Sequence, residues 1–241
     1  MNRNNIFSKL IKSLKGLKNT LTLQINRLKS NKQIFRDIYQ AKLWGNNKTK
    51  LSEFDSGTGS NPQYVDLYVQ KISDYITKKQ ISSVIDIGCG DFRVGKKIIE
   101  QQPNLSYLGI EVVDELTRRN KYKHETRSIK FSTYDFTESH IPKEYFSYEL
   151  CLVRQVFQHL SNRMISRMLD NLKPFNHAII TEHQANNPSK KNQDQVTSKN
   201  NRTESNGGIY LDSPPFDIAI QLILSVPVDE ESSINTYLWI K

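Results

Sequence analysis

Apolar residues near the start of the chain recur at three- and four-residue spacing: Phe7, Leu10, Ile11, Leu14, Leu17, Leu21, Ile25 and Leu28. On an α-helix this spacing gathers them into one stripe with lysines opposite. After a Gly/Ser-rich stretch, Ser56 to Ser60, the helical period returns in Tyr64, Val65, Tyr68, Ile72, Tyr75 and Ile76, with Asn61 placed to cap and Pro62 at the first helical position. Short apolar runs then alternate with helical patterns. Strands are predicted at 82–87, 106–110, 129–134, 150–154 and 177–181, and helices through Val94 to Ile99, from Asp114, and from a Ser161 cap through Met164 to Leu172. That alternation predicts an α/β fold, a mostly parallel sheet with helices on both faces. Two apolar runs flanking Asp229-Glu230-Glu231 predict a closing hairpin. Residues 185–208, rich in Asn, Lys, Gln and Ser, show no apolar period and read as a flexible insertion or lid without packed elements.

A chain of 241 residues suits one large domain with an appendage and can bury a core without staples. Its two cysteines, Cys89 and Cys151, lie in apolar stretches, which excludes a disulfide-built scaffold. There is no apolar run long enough to span a bilayer and no secretory signal pattern, so a cytoplasmic protein is expected. Charge divides the chain sharply. Residues 1–50 hold twelve Lys/Arg against one acid, Asp37, a net of +11, whereas residues 51–241 carry 22 basic and 24 acidic residues, a net of −2. The expected organisation is therefore a basic amphipathic helical arm, 1–50, before a nearly neutral domain, 51–241. Such an arm suits a helix packed on its own domain or on a second subunit, or peripheral contact with an anionic inner-membrane surface. Nucleic acid is the less favoured partner, because aromatic residues are not interleaved with the basic ones.

The strongest local signal is Val84-Ile85-Asp86-Ile87-Gly88-Cys89-Gly90-Asp91-Phe92. A buried strand runs into a turn with two glycines and straight on to a helix N-terminus, an arrangement that brings backbone N–H groups to a ligand. The dinucleotide pattern GxGxxG is not met, since Arg93 stands where the third glycine belongs. The segment resembles motif I of class I S-adenosylmethionine-dependent methyltransferases. That resemblance implies a Rossmann-like fold with a seven-stranded sheet, S-adenosyl-L-methionine as cofactor, and Asp86, Gly88, Cys89, Gly90 and Asp91 in its loop. It also implies that Glu111, followed by Val112, holds the ribose hydroxyls, and that Asp135 contacts the adenine amino group with Phe136 under the ring. The separations of 25 and 24 residues between Asp86, Glu111 and Asp135 are each about one βα unit, which puts the three acids at carboxyl ends of adjacent strands.

The run Leu150 to Leu160 continues the likeness, with Arg154 and Gln155 expected beside the cofactor. The Asn/Asp-Pro-Pro-Tyr/Phe element of DNA-amino methyltransferases is missing there; Ser213-Pro214-Pro215-Phe216 imitates it too late in the chain and is expected to shape an acceptor pocket or turn the chain. Segments Phe35 to Gly45, Ser56 to Ser60 and Leu211 to Phe216 look like a bacterial subgroup associated with surface-glycan or small-metabolite biosynthesis, which implies a sugar hydroxyl as acceptor. A hydroxyl must lose its proton, so a base near neutrality is sought. His183, at a strand end beside Glu182, is the first choice, His159 the second and Glu182 the third. No His/Asp/Glu grouping has metal-ligand spacing. An RNA or protein methyltransferase using the arm, and a non-catalytic cofactor-binding protein, are the alternatives.

Overall fold

The computed structural model describes residues 13, 16, 18–44 and 54–241. Helix α1 spans Asn31–Gln40; α2, Pro62–Lys79, precedes β1, Ser83–Ile87. Then come α3, Arg93–Gln101; β2, Ser106–Glu111; α4, Asp114–His124; β3, Ile129–Thr133; and β4, Leu150–Arg154. The chain ends with α5, Asn162–Leu172; β5, His177–Ala185; β6, Ile220–Pro227; and β7, Ser232–Trp239. The strands form one seven-stranded sheet in the order β3-β2-β1-β4-β5-β7-β6. Strands β1 to β5 pair in parallel, and the β6–β7 hairpin closes the edge antiparallel to β5.

Alternation within the central strands feeds two cores. Val84, Leu150, Leu152 and Ile179 pack with Val65, Val69 and Ile72 of α2 and Ile98 of α3. Ile85, Ile87, Cys151 and Val153 face the other way, onto Ile165, Met168 and Leu172 of α5. Strands covered on both faces explain why they read as continuous apolar runs.

Helix α1 departs from the expected division at residue 50. Ser30 and Gln33 make a reciprocal capping box, Ser30 Oγ accepting from Gln33 N at 3.3 Å and Gln33 Oε1 from Ser30 N at 3.1 Å. The helix then buries Ile34, Phe35, Ile38 and Tyr39 in the same core as α5. Its basic residues lie on the other side, where Lys32 and Arg36 pair with Asp114. The positive charge masked an amphipathic core helix, so residues 31–44 belong to the domain. Of the expected arm stripe, Leu21 and Ile25 are exposed on a helical stretch, residues 18–26, and Leu28 on the turn after it, while Phe7, Leu10, Ile11, Leu14 and Leu17 fall outside the described residues.

Residues 185–208 also differ from expectation. They hold little regular structure, a single turn of 3-10 helix at Arg202–Ser205, yet Asn192, Thr197, Ser198 and Arg202 are buried. Arg202 donates to the carbonyls of Leu160, at 2.6 Å, and Gln193. Asn192 donates to Tyr210 O and Pro214 O and accepts from Tyr210 N. The segment is fixed by polar anchors instead of an apolar face. The Ser213 to Phe216 element turns the chain under Asn192, with Phe216 in the core.

Ile38 is 4% exposed, so Ile38→Ala should cost about 2–4 kcal/mol in urea unfolding. Were α1 a peripheral appendage, the change would stay within about 0.5 kcal/mol.

Candidate active site

The carboxyl ends of β1, β2, β3 and β4 open into one cavity. Asp86, Gly88, Cys89, Gly90, Asp91, Glu111, Val112, Asp135, Phe136, Arg154 and Gln155, predicted from separate stretches of sequence, all line it. Their placement follows from the parallel register, which pairs Asp86 with Gly109 and Glu111 with Thr133.

Gly88 and Gly90 have φ of +76° and +55°. A Cβ on Gly88 would stand 2.5 Å from Val156 Cγ2, and one on Gly90 would stand 2.3 Å from Ser56 Oγ. Both glycines are therefore required by conformation and by space. Glu111 fastens this turn: Oε2 accepts from Gly90 N at 3.2 Å, and Oε1 from Val112 N at 2.9 Å and Val113 N at 3.2 Å. Burial pushes its pKa up to about 7 against the pull of those amides. Asp86 accepts from the Tyr107 hydroxyl at 2.6 Å, and burial raises it to about 6. The buried Arg154 guanidinium donates to Gly59 O at 2.7 Å and lies 5.1 Å over the Tyr68 ring.

Other positions expected to touch the cofactor are engaged with the protein. Asp91 caps α3, accepting from Arg93 N at 3.2 Å, and ties in the loop before α2 by accepting from Ser56 N at 3.1 Å. The Cys89 thiol fills the gap left by Gly109, whose Cβ would be 2.9 Å from Sγ. Asp135 Oδ1 accepts from Thr137 N and Oγ1, and Oδ2 accepts from Asn31 Nδ2 at 3.1 Å.

Asn31, Phe35, Tyr39, Trp44, Ser56 and Tyr68 complete the lining and were not read from the sequence. Most belong to α1 and the loop after it, which the basic charge had assigned to an arm; Ser56 lay in the Gly/Ser stretch already noted. Several buried polar atoms along the wall, Asn31 Oδ1, Gln155 Nε2 and Gln158 Oε1, have no hydrogen-bond partner among the described residues. Unpaired buried polar atoms are costly, which suits a wall shaped around a polar ligand.

A second cavity of about 510 Å³ adjoins the first and shares Trp44, Ser56, Gln155, Gln158 and His159 with it. Gln155 stands at the junction with φ +56°, a left-handed conformation costly for this residue. Its side chain lies against Gly59, where a Cβ would come within 1.9 Å of Oε1.

The three candidate bases separate here. His159 lines both cavities, with its ring 4.7 Å from that of Trp44. Nδ1 is 3.2 Å from Asn200 O, a pure acceptor, so Nδ1 carries the hydrogen and Nε2 keeps its lone pair. Burial lowers its pKa to about 4, well below the near-neutral value sought from the sequence, so the ring is neutral at physiological pH, with Gln158 Nε2 3.3 Å from its Nε2. His183 lines only the second cavity; its Nε2 is 2.9 Å from Ser232 Oγ, which donates to Asp229, and its Nδ1 is 3.2 Å from Asn201 Nδ2. Glu182 lines neither cavity. Its carboxylate is buried and accepts from Phe157 N at 2.9 Å and Gln158 N at 3.0 Å, fastening the turn that carries His159.

No family model matches the sequence, and neither does any curated protein. Solved structures do match. The N-methyltransferase NodS from Bradyrhizobium japonicum WM9, in complex with S-adenosyl-L-homocysteine, superposes with a TM-score of 0.54 at 14% identity, over 85% of this chain and 98% of NodS. The methyltransferase domain of bacterial CtHen1 gives 0.51 at 12% identity, over 70% of this chain and 96% of that domain. The chain has the class I methyltransferase fold. Within this fold the sequence-predicted seven strands and closing hairpin are all present. No helix among the described residues is long and apolar enough to cross a membrane.

Burial raises Glu182 from an ordinary 4.5 to about 8. A raised folded-state pKa contributes stability that is fully present below about 4.5 and is lost as pH rises through about 8. Glu182→Gln cannot ionise, so its melting temperature relative to the parent should climb from pH 5 to pH 9. A difference constant across that range would show that Glu182 is ionised in the folded protein throughout.

Proposed function

We propose that the protein is an S-adenosylmethionine-dependent methyltransferase acting on a hydroxyl of a small polar molecule, a sugar or glycan precursor. The observation that carries this reading is the meeting of Asp86, Glu111, Asp135 and the two cradle glycines in one cavity that continues, past His159, into a second. Glu111 has one acceptor direction left after its three amide bonds, which suits a ribose hydroxyl. Asp135 Oδ2, with Asn31 Oδ1 beside it, suits the adenine amino group. The cofactor, when bound, supplies a methyl group activated by a positive sulfur.

The second cavity is the acceptor site in this reading. Trp44 and Tyr64 offer flat apolar surface, and Gln155, Gln158, His183 and Asn201 offer polar atoms, a mixture that suits a polyhydroxylated molecule. Held in the tautomer set by Asn200 O, His159 Nε2 takes the proton from the acceptor hydroxyl. His183, locked to Ser232 and Asn201, orients the far end of the acceptor. Glu182 acts through His159 by fixing its turn. Alignment of the hydroxyl supplies the larger share of the acceleration, since the methyl group is already electrophilic.

Calorimetric titration with S-adenosylhomocysteine tests the cofactor. Binding should be lost in Gly88→Val, whose side chain meets Val156. Ribose recognition by an ionised Glu111 with a pKa of about 7 makes affinity rise about tenfold from pH 6 to pH 8. Glu111→Gln should bind weakly and lose that dependence. Failure of the folded protein to bind would end the methyltransferase reading.

Methyl transfer to a panel of sugars tests the acceptor. His159→Ala should lower kcat by about 10²–10⁴-fold. His183→Ala should act chiefly on KM. A His159→Ala variant with unchanged kcat would remove the base from the mechanism.

A further inference from the structure

A third cavity, of about 370 Å³, lies on the far side of Tyr39 from the cofactor cavity, and neither the fold nor the proposed reaction uses it. Arg36 and Lys42, from α1 and the turn after it, and Arg118 and Arg119 of α4 stand around it, with Glu115 as the acid. Glu115 is already engaged by Arg36, whose Nε is 3.0 Å from Oε1 and which also reaches Asp114. Among the described residues, no carboxylate comes within 4 Å of Lys42, Arg118 or Arg119.

Arg119 carries the second observation. It is half-buried, and its Nε is shut off from solvent without a hydrogen-bond partner among the described residues. Its Nη1 makes only a long contact, 3.4 Å, to Asn120 Oδ1. A guanidinium whose outer nitrogens make a single long contact among the described residues, beside two further cations, is an arrangement an anion completes. Nearby His124 feels the same field, its pKa lowered by burial and then by Lys96, Arg119 and Lys123.

We propose that this cavity binds the phosphate or pyrophosphate group of a small molecule. Three cations without carboxylate partners call for more than one negative charge. The planar forks of Arg118 and Arg119 match phosphate oxygens, and Lys42 adds a point charge from the opposite wall. Asn120, next to Arg119, donates from Nδ2 to Gly90 O at 2.7 Å, so the helix that carries both arginines is tied to the glycine turn. The inference does not rest on the methyltransferase reading.

Inorganic pyrophosphate, titrated calorimetrically at fixed low ionic strength, is the probe. The parent should bind it, and Arg118→Gln/Arg119→Gln should weaken binding by about tenfold or more, with melting temperature confirming the fold. Lys42→Gln should weaken it by a smaller factor and serves if the double variant does not fold. Lys12→Gln/Lys15→Gln, in the basic N-terminal segment, should leave the affinity within about twofold. Absence of pyrophosphate binding by the folded parent overturns the proposal. So does binding lost in the Lys12/Lys15 variant but kept in the Arg118/Arg119 and Lys42 variants. An RNA oligonucleotide that binds with a steep salt dependence where pyrophosphate does not would assign these cations to a polymer and equally overturn it.

Discussion

The buried carboxylate of Glu111, accepting from Gly90, Val112 and Val113, joins the end of β2 to the glycine turn after β1 and to the start of α4. Three backbone donors converge on a side chain that is 5% exposed, so the turn cannot relax without leaving amides and a carboxylate unpaired out of water. The rest of the turn is held in step. Asn120 fixes Gly90 O, Asp91 fixes the start of α3 and the loop at Ser56, and Val156 closes over Gly88. The Glu111 carboxylate and the two-glycine turn are thus one mechanical unit.

The same device recurs at the next strand ends. Asp135 is held by Thr137 and Asn31, and Glu182 by Phe157 and Gln158 amides. Asp135 follows β3 and receives an N–H from the turn beyond it, whereas Glu182, inside β5, receives those of the turn after the neighbouring β4, and both fix irregular backbone at the edge of the sheet where ligands collect. Burial pushes Asp86, Glu111 and Glu182 toward the protonated form, to about 6, 7 and 8. The edge that organises the site therefore also holds groups whose charge changes near neutrality.

The sheet and the cofactor side were legible in the sequence because they obey periodic rules. Double-sided burial makes apolar runs, βα units repeat at about 25 residues, and the turn needs glycines at 88 and 90. The walls of the second cavity were not legible. Asn192 and Arg202 secure 185–208 by bonding to carbonyls of distant residues, and such contacts leave no hydrophobic period. In α1, Lys32 and Arg36 gave the helix the composition of a solvated arm, although their partners Asp114 and Glu115 lie far along the chain and Ile34 and Ile38 face the core. His159 and His183 were both picked for places expected after strands, but β5 runs on to Ala185 and takes in His183, and only the third dimension shows that His159 lines both cavities and His183 the second alone.

The two least periodic parts of the chain meet over the site. Asn26, at the end of the helical stretch 18–26, donates to Thr197 O, and Trp44 Nε1, after α1, donates to Lys199 O, so the N-terminal helices and the 185–208 segment hold each other. Trp44 also covers His159, whose tautomer is set by Asn200 of that same segment. The second cavity is thus walled by elements that the sheet does not specify, while the cavity at the strand ends is walled by elements that it does. A fold shared at 12–14% identity can keep the strand-end cavity while the other is rebuilt, because the carboxylate clasps need only the strand-end turns, whereas the other wall needs these particular long-range polar contacts.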